Sequence, residues 1–311
     1  MKHCNNAQIA GETSARGGID DYPSRRESVP QVIPRKDPVV YSNWRQDAPL
    51  SEEQTAFYDA NGFLSFDIGF SKESRGQLID EATRLAHEKD ELDSNVVITE
   101  PDREEIRSIF RVHDLSPIFE KLLKGTRLVE IARFLLGDDV YIHQSRLNYK
   151  PGFHGKEFYW HSDFETWHVE DGMPRMRALS MSISLYTNNE LNGPLMVIPK
   201  SHFEFIPCVG EAPEDHYKSS LKKQEYGVPD EASLTSLAAR GGIVAPKGPA
   251  GSVTIFDCNI MHGSNSNITP YPRSNVFVVY NALSNHLVAP FGSRPPRPDF
   301  LAARGGRVAA I

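Results

Sequence analysis

The chain has 311 residues, of which 39% are hydrophobic and 24% charged, and its formal net charge is −7. That composition belongs to a globular protein with a sizeable core; it excludes a disordered or fibrous chain, and the acidic balance argues against nucleic acid as a partner. No run approaches the ~18 uninterrupted apolar residues of a membrane span, and Met1 to Arg16 lacks the apolar core of a secretory signal.

Residues 1–38 are rich in Gly, Ser, Arg, Asp and Pro without a sustained period. They read as a flexible N-terminal arm, followed by a single domain over 39–311. Ser51-Glu52-Glu53-Gln54 has the capping-box pattern and opens a short helix through Phe57 that stops at Gly62. Lys72 to His87 carries Leu78, Ile79, Ala82, Leu85 and Ala86 at helical spacing. Further helices are expected at Pro117–Leu123 and at Arg127–Leu136, the latter ended by Gly137.

From Val140 the texture changes to strands separated by turn signals. The candidates are Val140–Lys150, Glu157–Ser162, Arg177–Thr187, Leu195–Ile198, Gly242–Ala245, Ser252–Asp257 and Asn275–Leu283, with a helix at Asp230–Arg240 between them. Helices first and strands later, with little βαβ alternation, predicts a mainly β fold with flanking helices, a sandwich or barrel. The three cysteines, Cys4, Cys208 and Cys258, are far apart and form no CxxC. Neither a disulfide framework nor a thiolate zinc site is expected, and the plain inference is a cytoplasmic protein.

Chemistry concentrates around Trp160-His161-Ser162-Asp163. On an extended strand, His161 and Asp163 point to the same side. An HxD triplet alone is also met as a surface His beside an Asp, but His262 adds a distant third donor after the strand Ser252–Asp257, with Gly263 permitting close approach. Two imidazoles and one carboxylate form the facial triad that leaves positions open on Fe(II) for a co-substrate and O2. Arg273 follows His262 by eleven residues, where its guanidinium could grip the far carboxylate of a dicarboxylate co-substrate. On Val140–Lys150, period two places Gln144, Arg146, Asn148 and Lys150 on one face. The plain reading of that row is a solvated face, and the alternative is a cavity lined by fixed polar groups. Phe158, Trp160, Phe164, Trp167 and Phe256 gather near the ligands, with Glu165 to Arg177 read as a loop beside the metal.

The run Phe158-Tyr159-Trp160-His161-Ser162-Asp163-Phe164-Glu165-Thr166-Trp167-His168, continuing through Glu170-Asp171-Gly172-Met173-Pro174-Arg175, resembles the signature of the ectoine hydroxylases. These form part of the phytanoyl-CoA-dioxygenase-like family of iron(II)/2-oxoglutarate dioxygenases. His143-Gln144-Ser145-Arg146, Asn192-Gly193-Pro194-Leu195-Met196 and His262-Gly263-Ser264 match as well, and the likeness covers roughly Asp37 to Arg304. It departs at Lys200, where a glycine is usual, and in a longer arm. The resemblance implies a double-stranded β-helix (jelly-roll, cupin-like) core. It implies that His161, Asp163 and His262 bind Fe(2+), and that Lys150 and Arg273 hold 2-oxoglutarate with Asn148, Phe158 and Ser264 nearby. Gln144 and Trp167, with Arg146, Phe256 and Asn275, would contact ectoine. The implied reaction is oxidation of ectoine to 5-hydroxyectoine, a compatible solute of osmotic and heat stress, by a homodimer. Another small amino acid such as proline is the alternative substrate on the same scaffold.

Overall fold

The strand Arg273–Ala282 is buried along its whole length and occupies the centre of a seven-stranded sheet. The protein is described here from a computed structural model, covering residues 20–26, 31–101, 103–210, 213, 217–221 and 227–311. The strand order is Phe63–Asp67, Ser252–Asp257, Ala178–Ser184, Arg273–Ala282, Val140–Lys150, Ile106–Phe110 and Val97–Thr99, every neighbouring pair antiparallel. A three-stranded sheet of Phe158–His161, His262–Ser264 and Leu195–Val197 lies apart from it in hydrogen bonding.

Side-chain alternation decides what each face of the large sheet meets. Leu147, Met181, Ile183, Val253, Ile255, Val276 and Val278 form one cluster with Leu78, Leu85, Phe119, Ile131 and Leu135 of the helices Lys72–His87, Pro117–Leu123 and Thr126–Leu136. On the opposite face, Phe63, Phe256 and Phe277 pack against Leu195 and Val197 of the smaller sheet. Two sheets closed over one core, with helices on the outer face, make a jelly roll, in agreement with the expected class. Burial at ~25 cal/mol per Å² of apolar surface holds both contacts together.

This geometry corrects the plain reading of the polar row. Leu147 faces the helices, so Gln144, Arg146, Asn148 and Lys150 face the smaller sheet; Gln144, Asn148 and Lys150 are buried and Arg146 is half-buried. A bulge beside His143, where the pairing shifts between Val279 and Tyr280, also puts Val140 and Ile142 on the helix side. The extra residue reverses the alternation there, which a strict period of two cannot anticipate.

The helix Glu52–Asn61 begins in the reciprocal Ser51/Gln54 box and ends on Gly62 at φ 76°, as its signals require. Gly242–Ala245 forms no strand and contributes only the bridge of Val244 to Val197. Among the described residues, six short strands were not anticipated: Ile33–Pro34, Phe63–Asp67, Val97–Thr99, Ile106–Phe110, Glu204–Phe205 and His262–Ser264. Lys200 takes the left-handed conformation, φ 70°, at an exposed turn, which explains why glycine suits this position.

Within the stretch expected to be a flexible arm, residues 1–19 and 27–30 lie outside the described residues. The rest is packed: Tyr22 is fully buried and donates to Asp37, and Ile33–Pro34 pairs with Glu204–Phe205. A buried tyrosine with one hydrogen bond and a two-residue strand pairing leave no periodic trace. Among the described residues, no helix is long and apolar enough to cross a membrane.

Candidate active site

His161 and His262 are register partners on adjacent antiparallel strands of the smaller sheet. Gly263 makes the close pairing possible, because a Cβ there would stand 3.0 Å from the Phe158 carbonyl oxygen. Asp163 completes the set, all three donors lying within 4.8 Å of one another. The nearest approaches are 3.7 Å from His161 Nε2 to Asp163 Oδ1 and 3.9 Å from His262 Nε2 to Asp163 Oδ2. Each imidazole donates from Nδ1 to a backbone carbonyl two residues before it, His161 to Tyr159 (2.7 Å) and His262 to Ile260 (3.1 Å). Those bonds set the tautomer and leave both Nε2 atoms free to ligate. Burial, reinforced by His262, lowers the His161 pKa to about 4, so its ring is held in the neutral, ligating form.

Asp163 does not sit on the strand. The strand ends at His161, and Asp163 opens a short helix, Asp163–Thr166, that runs into a π-helical turn, Trp167–Asp171. The stretch expected to be a loop is therefore partly helical and mostly buried. Phe164 N donates to the Cys258 carbonyl and Ser162 Oγ to Asn259 Oδ1, tying the helix start to the segment before His262. Ser180 Oγ donates to Asp163 Oδ2 at 3.3 Å.

Lys150 and Arg273 are register partners at the end of the large sheet. Lys150 Nζ donates to Ser264 Oγ (2.8 Å) and the Asn265 carbonyl (2.6 Å), and it stands 5.7 Å from the Phe158 ring centre. Burial, then the neighbouring Arg273, pushes its pKa down to about 6. Arg273 is buried too, its pKa lowered to about 10 by desolvation, and its Nε has no hydrogen-bond partner among the described residues. Two desolvated cations side by side are unfavourable unless an anion joins them. Asn148 accepts from Ser108 Oγ on the same strand face.

A cleft beside the histidines is lined by Gln144, Arg146, Phe158, His161, Asp163 and Trp167, together with Ser108, Phe110, Thr166, Leu221 and Arg297. Gln144 donates to the Leu301 carbonyl, and Arg146 lies over the Phe277 ring at 5.0 Å. Trp167 is braced edge-on by the buried His143, ring centres 5.2 Å apart. Phe256 and Asn275 are not among the cleft residues: Phe256 packs on the His262 ring at 5.0 Å, and Asn275 donates to Ser182 Oγ while its Oδ1 has no hydrogen-bond partner among the described residues. Sequence reading missed Arg297, which reaches the cleft from Pro295-Pro296-Arg297-Pro298 and pairs with Asp171 at 2.6 Å. It also missed Arg107, whose guanidinium covers the Phe158 ring at 3.7 Å while pairing with Glu100 at 3.0 Å. No periodic signal marks either residue.

Residues 58–275 match the phytanoyl-CoA dioxygenase (PhyH) family. The chain is 60% identical over 286 residues to the ectoine dioxygenase of Sphingopyxis alaskensis, covering 92% of this chain and 94% of that one. The crystal structure of EctD from S. alaskensis with 2-oxoglutarate and 5-hydroxyectoine superposes with a TM-score of 0.85 at 55% identity, over 92% and 95% of the two chains. The same protein with bound Fe gives a TM-score of 0.85 at 54% identity, over 94% and 97%. The chain belongs to the phytanoyl-CoA dioxygenase family, among its ectoine dioxygenase members.

Proposed function

We propose that this chain hydroxylates ectoine to 5-hydroxyectoine, using ferrous iron, 2-oxoglutarate and O2 and releasing succinate and carbon dioxide. The observation that carries the reading is the convergence of His161, Asp163 and His262 beside the buried Lys150–Arg273 pair, in a chain 55% identical to a protein crystallised with 2-oxoglutarate and 5-hydroxyectoine. The donor set suits the metal: two neutral imidazoles with free Nε2 atoms and one carboxylate, on one side only. His161, Asp163 and His262 would hold it, and when bound it supplies the centre at which dioxygen is activated.

The residues divide the remaining work. Arg273 grips the far carboxylate of 2-oxoglutarate and Lys150 adds a second charge, while Phe158, Asn148 and Ser264 form the surrounding wall. Ectoine is a small cyclic zwitterion with a carboxylate and a delocalised amidinium. Arg146 and Gln144 suit the carboxylate, and the Trp167 ring face suits the cation. Arg297 brings a second guanidinium to the same cleft. Phe256 and Asn275 act from behind, through the His262 ring and through Ser182. Buried walls exclude water and fix the substrate's reacting C–H bond, so that one oxygen atom is inserted there while the other enters succinate.

The reading extends to a cytoplasmic homodimer whose product is a compatible solute under osmotic and heat stress, consistent with an acidic chain carrying three scattered cysteines. Its test is anaerobic reconstitution with ferrous ion, 2-oxoglutarate and ectoine, followed by admission of air. Ectoine gaining one oxygen atom with equal succinate release supports it. Oxygen inserted into proline, with ectoine unchanged, would shift the reading to another small amino acid.

A further inference from the structure

We propose that Arg25 is a positioning residue that clamps the segment Asp163–Asp171, and thereby holds the Asp163 carboxylate and the Trp167 ring in place. The inference rests on the roles given above to Asp163 and Trp167. Arg25 lies 140 residues earlier in the chain, yet it meets Glu165 through two parallel bonds, Nε to Oε1 at 2.9 Å and Nη2 to Oε2 at 2.7 Å. Its remaining nitrogen, Nη1, donates to Glu170 Oε1 at 2.7 Å. Glu165 and Glu170 stand on either side of Trp167, so one guanidinium closes the turn that carries it.

The clamp is dry, with side-chain exposures of 5% for Arg25, 1% for Glu165 and 7% for Glu170. Around it the arm is fastened at several further points. Asp20 meets His168 Nε2 at 2.9 Å, Tyr22 stands edge-on to Phe164 at 5.3 Å, and Ser24 Oγ donates to Glu165 Oε1 at 2.7 Å. The Arg25 amide donates to the Cys208 carbonyl, and the Cys208 amide donates to Ser24 Oγ. Arg25 itself has φ 58°, a conformation that non-glycine residues keep only where the surroundings over-determine it. Gly227 closes the fourth side: a Cβ there would lie 2.9 Å from Glu165 Oε2 and 3.1 Å from Arg25 Nη2.

Removing Arg25 would strip the buried Glu165 carboxylate, two residues from Asp163, of its guanidinium, while Glu170 would keep Arg297 3.8 Å away, and the turn would have to open to hydrate Glu165. The global fold has other supports, since Arg297 still binds Asp171 and Phe164 still binds Cys258. The effect should therefore be local.

The test compares full-length wild type with Arg25→Met, Arg25→Lys, Glu165→Gln and the double variant Arg25→Met/Glu165→Gln. Amide hydrogen exchange is followed on the metal-free proteins and steady-state kinetics on the reconstituted ones. In Arg25→Met, exchange across residues 163–172 should quicken while the strand Arg273–Ala282 stays as protected as in wild type. kcat/KM for ectoine should fall by about 10–100-fold, as expected for a misplaced positioning group, with KM for 2-oxoglutarate within about threefold. The double variant should recover part of the loss, because a neutral glutamine costs less than an orphaned carboxylate, and Arg25→Lys should lie between. Unchanged exchange over 163–172 in Arg25→Met, or losses in the double variant that simply multiply, would overturn the clamp. If Arg25→Met does not fold, Arg25→Lys decides: quickened exchange confined to 163–172 supports the clamp, and quickening spread over the whole sheet refutes it. Should wild type leave ectoine untouched, the proposed function fails while the exchange result still judges the clamp.

Discussion

Lys150 and Arg273 stand opposite each other on neighbouring antiparallel strands, both buried, and among the described residues neither is hydrogen-bonded to a carboxylate, although Glu100 and Glu157 act on Lys150 from farther away. Lys150 has two oxygen acceptors, one hydroxyl and one carbonyl, and both are uncharged. A site built this way is poorly matched to itself and well matched to an incoming anion with two oxygens.

The first consequence is a pH dependence of co-substrate binding. In the free protein Lys150 titrates at about 6, chiefly through burial and then through Arg273. A bound dicarboxylate favours the ammonium and raises that value. Affinity linked to Lys150 is thus fully present below pH 6 and is lost as pH rises towards the bound-state pKa, by up to tenfold per pH unit. Calorimetry at pH 7.5 in buffers of differing ionisation enthalpy should show uptake of about one proton per 2-oxoglutarate bound. Lys150→Met should abolish the uptake. Binding without proton uptake in wild type would mean that Lys150 stays charged in the empty site.

Arg273 should control the same ligand selectively. Charge-assisted hydrogen bonds to a buried carboxylate contribute roughly 1.5–3 kcal/mol each, so Arg273→Ala should raise KM for 2-oxoglutarate about 10–100-fold. KM for ectoine should move by less than about threefold, because the cleft of Gln144, Arg146 and Trp167 does not include Arg273. A defect confined to ectoine would place Arg273 at the wrong end of the site.

How much of this was legible beforehand follows from what each residue depends on. His161 and His262 were readable from their donor types, His161 on an expected strand and His262 just after one, although the short strand that brings His262 into register was not expected. Asp163 was readable as a candidate ligand but not as the first residue of a helix, since Asp163–Thr166 is too short to display a period. The polar row of Val140–Lys150 was ambiguous because its burial depends on a second sheet made of three short strands, one of which, His262–Ser264, carries no strand pattern. Arg25 and Arg297 were illegible for a further reason. Their partners lie 140 and 126 residues away, and an ion pair across such a distance leaves no mark on local composition.

Removing the carboxylate ligand should uncouple metal from stability. A ligand that binds only the folded state at about 100 times its Kd stabilises by about 2.7 kcal/mol. Ferrous ion under anaerobic conditions should therefore raise the melting temperature of wild type and leave Asp163→Ala unmoved. Dialysed Asp163→Ala should retain little iron and form no 5-hydroxyectoine. The two imidazoles and their Nδ1 bonds to Tyr159 and Ile260 persist in this variant, so its fold should be preserved. Full iron affinity with retained turnover would remove Asp163 from the metal site.

Lys200 offers a test of the fold that leaves the chemistry alone. Its side chain is exposed, its backbone is left-handed at φ 70°, and its amide donates to the Asn61 carbonyl. A non-glycine residue in this conformation costs roughly 1–2 kcal/mol, and glycine's greater freedom in the unfolded chain returns about half of that. Lys200→Gly should therefore stabilise the protein by about 0.5–1 kcal/mol, seen as a higher urea midpoint with an unchanged slope. Lys200→Ala keeps the Cβ and should give no gain, which separates backbone strain from loss of the ammonium. Equal stabilisation by alanine and glycine would trace the effect to the charge instead.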